Sequence, residues 1–330
     1  MDNVAFVELL YRAVLRREPD LPGVRHFAKH LDDGGTPLEL LEAFSRGQEP
    51  LSDTRLFVRP GHFYSPVVDP QHIASRHRDS WEQPPASLPG IQLNDEAMEV
   101  AWRKWLPAMQ SMPFKDEKTA GLRYYYSNNW FTWADAAIYY SILHSLRPRR
   151  VLEIGSGFTS ALALDVMDRC QESPTRLVMI EPHAERLRRV LLAEDAARCE
   201  IHECELQAVS DDLFASLSPG DILFIDSTHV MKTRSDVHEL LFRILPILKA
   251  GVHVHFHDVF YPFEYPPEWV IDQNRSWNEA YALRAFLTNN SQYEIVFFSD
   301  YFRRRFPSLA LEQGTPFSKG GGSSLWLRKV

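Results

Sequence analysis

Four short stretches of this chain put reactive side chains beside turns. The first is Val151-Leu-Glu-Ile-Gly-Ser-Gly-Phe-Thr-Ser160: an apolar run, a carboxylate, a glycine turn and a helix start. Gly155 and Gly157 lack a Cβ, so the backbone around Ser156 can turn sharply and lie close to a ligand. Glu153 can accept a hydrogen bond from a cationic amino group. Glu181, in Ile180-Glu181-Pro182, can hold both hydroxyls of a ribose. The other two stretches, Asp226-Ser-Thr-His229 and His257-Asp258, each pair a carboxylate with an imidazole. An imidazole titrates near neutral pH and can be free to accept a proton there.

These residues act together only if a scaffold gathers them. From about residue 120 short apolar runs alternate with helical spacing. Strands are predicted over 149–154, 177–180, 222–225 and 252–256, and two more near 293–298 and 324–328, joined by a glycine-rich turn. Helices are predicted over 159–170 and 184–192 and near 276–289. Such alternation predicts a Rossmann-like, doubly wound α/β sheet. In that architecture ligands bind beyond the carboxyl ends of the strands, where Gly155, Glu181, Asp226 and Asp258 all fall.

A dinucleotide site of the G-x-G-x-x-G kind is the rival reading of the glycine turn. Its third glycine is Ser160 here, which weakens an NAD-dependent oxidoreductase. An acid ahead of the glycines, and no need to bind a pyrophosphate, favour S-adenosylmethionine. Residues 122–330 resemble the bacterial class I S-adenosylmethionine-dependent methyltransferases of the Methyltransf_24 type. The resemblance is carried by Tyr-Tyr-Ser-Asn-Asn-Trp-Phe (125–131), Asp135-Ala136, the glycine turn, Ile180-Glu181-Pro182, Asp221-Ile-Leu-Phe-Ile-Asp-Ser-Thr-His229 and His255-Phe-His-Asp258. It implies a seven-stranded sheet whose last strand is antiparallel, with Glu153, Gly155, Ser156, Gly157, Glu181 and Asp226 around the cofactor.

The resemblance extends to the reaction. In metal-dependent sugar O-methyltransferases, acids from these two strand ends hold a divalent ion and a nearby histidine takes the hydroxyl proton. Carried over, Asp226 and Asp258 are metal ligands, magnesium or manganese suiting their hard oxygens, and His229 is the base. His257 stands where some relatives have a second acid, and it is the other catalytic candidate. A metal-free reading stays open, in which Asp226 bonds the cofactor or a loop and His229 caps a helix or binds substrate. His253 and His255 share the strand face of His257 and read as packed core histidines. The aromatic run Phe260–Trp269 either stacks on an acceptor or packs over the core. No N/D-P-P-Y/F motif and no Pro-Cys pair is present, which disfavours adenine or glutamine amino groups and cytosine carbon as acceptors. A hydroxyl of a sugar or another small molecule remains. A non-catalytic cofactor-binding scaffold is the alternative.

Residues 1–48 predict a small all-helical domain. Val7, Leu10, Tyr11, Val14 and Leu15 share one helical face, and Val24, Phe27, Ala28 and Leu31 another. Gly34-Gly35 ends the second helix, and Thr36 with Glu39 forms a capping box around Pro37. Through Phe6, Leu10-Tyr11, Leu15, Arg17, Pro19-Asp20, Gly23, Leu31, Gly34, Phe44 and Glu49 this segment resembles a bacterial domain of unknown function. That domain recurs in surface-associated and glycan-related proteins, which implies a module for a protein partner. Residues 49–120 read as a connector, because 9 of the chain's 22 prolines lie between 50 and 113. One helix interrupts it, with Met98, Trp102, Trp105 and Met109 on its packed side. A net charge of −8 argues against nucleic acid. Three cysteines, an odd number without a C-x-x-C pair, fit a reducing cytoplasm. Neither a signal peptide nor an apolar membrane span is expected.

Overall fold

The computed structural model describes residues 2–14, 19, 21–45, 57–58, 60–76, 81, 83–170 and 175–330. The chain divides into two compact units, Met1–Ile73 and Ala74–Val330. The first holds helices α1 (Asn3–Ala13), α2 (Leu21–Asp32) and α3 (Pro37–Ser45). Val7, Leu10, Tyr11, Val24, Phe27, Leu40 and Phe44 form its core. Tyr11 and Phe44 meet edge to face at 5.2 Å, a favoured aromatic geometry. The capping box forms: Glu39 N donates to Thr36 Oγ1 at 3.2 Å and Thr36 N to Glu39 Oε2 at 2.8 Å. Gly34 takes φ +101°, the conformation that lets α2 stop. Leu15, Arg17, Asp20 and Glu49 lie outside the described residues.

The second unit is built on seven strands: β1 Arg150–Ile154, β2 Arg176–Ile180, β3 Cys199–His202, β4 Ile222–Ile225, β5 His253–Phe256, β6 Tyr293–Phe298 and β7 Leu325–Lys329. Their order is β3-β2-β1-β4-β5-β7-β6. β1 to β5 pair in parallel, and β7 runs antiparallel to both its neighbours. Strands β1, β2, β4 and β5 are buried on both faces, which is why they read as mostly apolar runs, the exceptions inside them being Glu153 in β1 and His253 and His255 in β5. The chain order reverses between β1 and β4, a topological switch point where a crevice opens. Ile154 pairs with Ile180 and Ile225, and Ile225 with Phe256. The residues that follow these four therefore form one row along the sheet's edge.

Three contacts fix what surrounds that row. Helix α4 (Asp95–Gln110) lies within the second unit, not in a free connector. Its buried face is Met98, Trp102, Trp105 and Met109, with Trp102 stacked 4.8 Å from Phe302 and Trp105 5.4 Å from Phe297. Helix α5 (Trp133–Leu146) is buried from Ala134 to Leu143, as expected of a helix apolar nearly all round. Finally Arg123, its side chain 2% exposed, reaches Asp165 and Asp168 on helix α6 (Phe158–Cys170) and Asp195 beyond it, at 2.8, 2.7 and 2.6 Å. This buried clamp ties the residue that precedes the 124–131 segment to the second half of α6.

Candidate active site

The glycine turn is sewn between its neighbours. Gly155 N donates to Ile180 O at 3.0 Å and Asp226 N to Ile154 O at 2.8 Å. Gly155 has φ +78°, and a Cβ there would stand 1.7 Å from the carbonyl oxygen of Asp226. Only glycine fits. Glu181 closes the turn from the β2 side, accepting from Ser156 N at 3.1 Å and His183 N at 2.8 Å. Each of its oxygens keeps a lone pair for a further donor. Glu153 is fully buried. Its partners are hydroxyls, Tyr139 at 3.3 Å and Ser160, and burial pushes its carboxyl up to about 7 against their pull. Ser160, standing where a dinucleotide turn has its third glycine, thus bonds the acid inside the turn, and its Oγ also accepts from Gly157 N at 3.2 Å.

Two clefts flank this turn and share Gly155, Arg186 and Asp226. The larger, about 530 Å³, runs past Glu181, Pro182, Leu206, Ser227 and Asp236. The smaller, about 30 Å³, lies between Ser156–Thr159 and the Trp130–Phe131 pair. Buried hydroxyls of Ser156 and Ser227 have no partner within the protein, so each cleft wall carries an unused hydrogen-bonding group.

Beside Asp226 stands an acid–imidazole cluster. His229 and Asp258 both adopt left-handed backbone, φ +59° and +58°, conformations costly enough to persist only where surroundings enforce them. His229 Nε2 lies 3.5 Å from Asp226 Oδ1 and 3.5 Å from Asp258 Oδ2. Its Nδ1 meets Glu279 Oε2 at 2.9 Å. Glu279 begins helix α7 (Glu279–Leu287) and is 1% exposed. Trp277 covers the His229 ring at 4.4 Å. Burial alone would lower the imidazole. Hydrogen bonds to Asp226 and Glu279 and the charge of Asp258 override it and hold His229 well above 6.5. Burial likewise raises Asp226, and the imidazoles of His257 and His229 overcome it, leaving the carboxyl at about 2. The expected neutral His229 is therefore not what this arrangement favours: three carboxylates keep it protonated. One ligand atom each from Asp226, His229 and Asp258 falls within 4.8 Å of the others.

The remaining candidates sit deeper. His257 is buried behind Asp258, its Nε2 3.6 Å from Oδ1, its ring 5.4 Å from Phe131. Burial lowers it, but Asp258, Asp226 and Asp135 outweigh that and raise it. His255 stacks on Phe224 at 3.8 Å with neither nitrogen bonded, and burial drives it well below 6.5. His253 is lowered to about 4 by burial and by Arg328. Both are core histidines. In the aromatic run, Tyr261, Phe263 and Tyr265 are buried in the protein. Trp269 and Trp277 stay half-exposed with the Arg275 guanidinium 4.2 and 4.6 Å from their rings. Sequence reasoning missed Glu279, which reaches His229 only through tertiary folding 50 residues on. It also missed the role of Asp135. That acid accepts from Ser323 N at 3.0 Å, and Ser323 Oγ donates to Asp258 at 3.1 Å.

A methyltransferase-domain family model (Methyltransf_24) matches residues 152–259, and a model for a domain of unknown function (DUF4214) matches residues 1–53. An uncharacterized protein of Archaeoglobus fulgidus is 32% identical over 141 residues, 40% of this chain and 62% of that protein. The chain thus spans less than two thirds of that relative's length. The methyltransferase PaMTH1 of Podospora anserina, solved with S-adenosylhomocysteine, aligns over 79% of this chain and 96% of its own, with 13% identity and a TM-score of 0.39. The O-methyltransferase TomG of Streptomyces achromogenes, solved with S-adenosylmethionine, aligns over 78% and 96%, with 15% identity and a TM-score of 0.35. An O-methyltransferase of Bacillus cereus, with S-adenosylhomocysteine, gives 79% and 96%, 14% and 0.36. Likenesses of that size decide neither cofactor nor acceptor. Among the described residues no helix is long and apolar enough to cross a membrane. Residues 152–259, from β1 to the turn after β5, thus match the model of a methyltransferase domain, and residues 1–53 match that of a domain family with no assigned function.

Proposed function

We propose that this protein transfers a methyl group from S-adenosylmethionine to a hydroxyl oxygen of a small acceptor, a sugar being the first candidate. The observation that carries the reading is the cluster of Asp226, His229 and Asp258 against a cleft bounded by the glycine turn and Glu181. The chain's residues suit the cofactor. Glu181 has spare acceptor capacity for two ribose hydroxyls, and the unpartnered Ser156 and Ser227 hydroxyls line the clefts. When bound there, S-adenosylmethionine supplies an electrophilic methyl group on a sulfonium.

Methyl transfer is an in-line displacement, so the protein's work is alignment and proton removal. Glu279 fixes the His229 ring from Nδ1 and leaves Nε2 facing the gap between Asp226 and Asp258. A carboxylate behind a ring nitrogen sets tautomer and orientation. Asp226 borders both clefts, so an acceptor hydroxyl beside it lies within reach of Nε2. The two carboxylates also fit a divalent cation held by Asp226 and Asp258, with Nε2 left free as the base. Such an ion would offset the carboxylate charge that keeps His229 protonated and lower the acceptor hydroxyl's pKa.

The test is transfer of labelled methyl from S-adenosylmethionine to a panel of sugars, sugar derivatives and phenols. His229→Ala should cut turnover roughly 10²- to 10⁴-fold and leave cofactor affinity nearly unchanged. Unchanged turnover in that variant removes the base. Cofactor binding without transfer to any acceptor favours the non-catalytic scaffold. Activity that survives exhaustive chelation removes the ion and leaves the base.

A further inference from the structure

Arg186, on the short helix Glu185–Val190, belongs to no motif that the sequence singled out. Its position is unusual. It lines both clefts on either side of the glycine turn. A methyl group built at Gly157 would stand 3.2 Å from its Nε and 3.8 Å from its Cδ, so the side chain lies along that glycine. The guanidinium sits 4.2 Å from the ring of Trp130, which is itself 64% exposed. Two residues on, Arg188 is tied to Glu203. Arg186, by contrast, has no carboxylate partner among the described residues.

An unpaired guanidinium held over an aromatic face is a ready receptor for a carboxylate, which it can grip through two parallel N–H donors. Two further features at the same spot favour an anion. The 30 Å³ cleft contains the first turn of α6, whose leading N–H groups have no partner within the helix. The same cleft contains Ser156, 3% exposed, whose hydroxyl has no partner in the protein. A guanidinium, a buried free hydroxyl and a helix start thus converge beside Gly157. The proposed ribose contact, Glu181, lines the larger cleft and not the smaller one. The amino-acid end of the cofactor must then pass the glycine turn toward this smaller cleft.

We infer that Arg186 binds the carboxylate of the cofactor's methionyl group, with Trp130 holding the guanidinium in place and closing over it. The inference rests on the proposed cofactor. It adds a positioning residue outside the glycine motif, and a cover, Trp130, from the 125–131 run. A side chain at residue 157 would press on the Arg186 stem, which would have to give by a few tenths of an ångström.

Calorimetric titration of the full-length chain separates the possibilities. The probes are S-adenosylhomocysteine and its decarboxylated analogue, which keeps the amino group and lacks the carboxylate. Wild type should bind the first more tightly. Arg186→Ala should weaken S-adenosylhomocysteine roughly 10- to 100-fold, the range of a charged hydrogen-bonded contact, and leave the analogue within about 2-fold. Arg186→Lys should recover part of the loss, since it keeps the charge without the fork. Trp130→Ala should show the same selectivity at smaller size. Equal loss for both ligands, or none for either, overturns the assignment. A wild type that binds neither ligand overturns the cofactor reading itself, and the unchanged analogue affinity reports that Arg186→Ala is folded.

Discussion

Replacing Gly155 by alanine probes the joint on which the site depends. Two costs add. The residue has φ +78°, and a left-handed residue with a Cβ costs roughly 1–2 kcal/mol. The new Cβ would also lie 1.7 Å from the Asp226 carbonyl oxygen and 2.8 Å from its carbon. That neighbour is backbone at the end of β4, so it cannot swing aside, and forced overpacking typically costs about 1–3 kcal/mol. Together Gly155→Ala should cost about 2–5 kcal/mol, a fall in Tm of roughly 4–20 °C for a unit of this size. Gly121 supplies the control. Its φ is +77°, yet a Cβ there meets nothing within 4 Å. Gly121→Ala should therefore carry the strain alone. Thermal unfolding of both variants isolates the clash as their difference. Saturating S-adenosylhomocysteine at a hundred times its Kd should stabilise wild type and Gly121→Ala by about 2.7 kcal/mol, and Gly155→Ala far less. Equal Tm values for the two variants would mean that β4's end does not approach the turn, and the geometry argued for the site would be wrong.

Two other outcomes follow from the buried charges. Arg123→Met leaves Asp165, 1% exposed, without its cation, and Asp195, 0% exposed, with only Arg198 at 3.3 Å, and loss of one partner of a buried pair costs about 3–5 kcal/mol. Chemical denaturation should show that loss, and adding Asp165→Asn should recover part of it; a loss below about 1 kcal/mol refutes the clamp. Glu153 is raised from 4.5 to about 7, first by burial. Between those values the folded state holds a proton that the unfolded state has released, so stability falls as pH rises from 4.5 to 7 and is level above. Glu153→Gln should remove that decline, on the order of 3 kcal/mol across the window. Parallel stability curves for the two proteins from pH 4.5 to 7 would show that the acid is not held neutral.

The sequence made the central strands legible because a strand buried on both faces is mostly apolar, even with Glu153 in β1 and two histidines in β5. The edge strand β3, Cys199–His202, was not legible, since all four residues are half-exposed and two are polar. Trp102 and Trp105 were read correctly as packing, yet their partners Phe297, Phe302 and Phe317 lie about two hundred residues away. That distance is why the sequence shows the 95–110 helix only as an interruption within the proline-rich 49–120 stretch. The glycine turn, Glu181 and the two acid–imidazole pairs were visible because each ends a recognisable strand. What the spacing could not reveal is the charge state of His229. It is set by Glu279 and by two acids on separate strand ends, which only the folded sheet brings to one ring.

The central claim is that the cleft between the glycine turn, Glu181 and Asp226 takes S-adenosylmethionine. Titration calorimetry of wild type with S-adenosylhomocysteine and with NAD, repeated for Glu181→Ala, tests it most directly. The account predicts one S-adenosylhomocysteine bound per chain, markedly weaker binding in Glu181→Ala, and no heat from NAD. Binding of NAD in place of S-adenosylhomocysteine, or S-adenosylhomocysteine affinity untouched by Glu181→Ala, would contradict it.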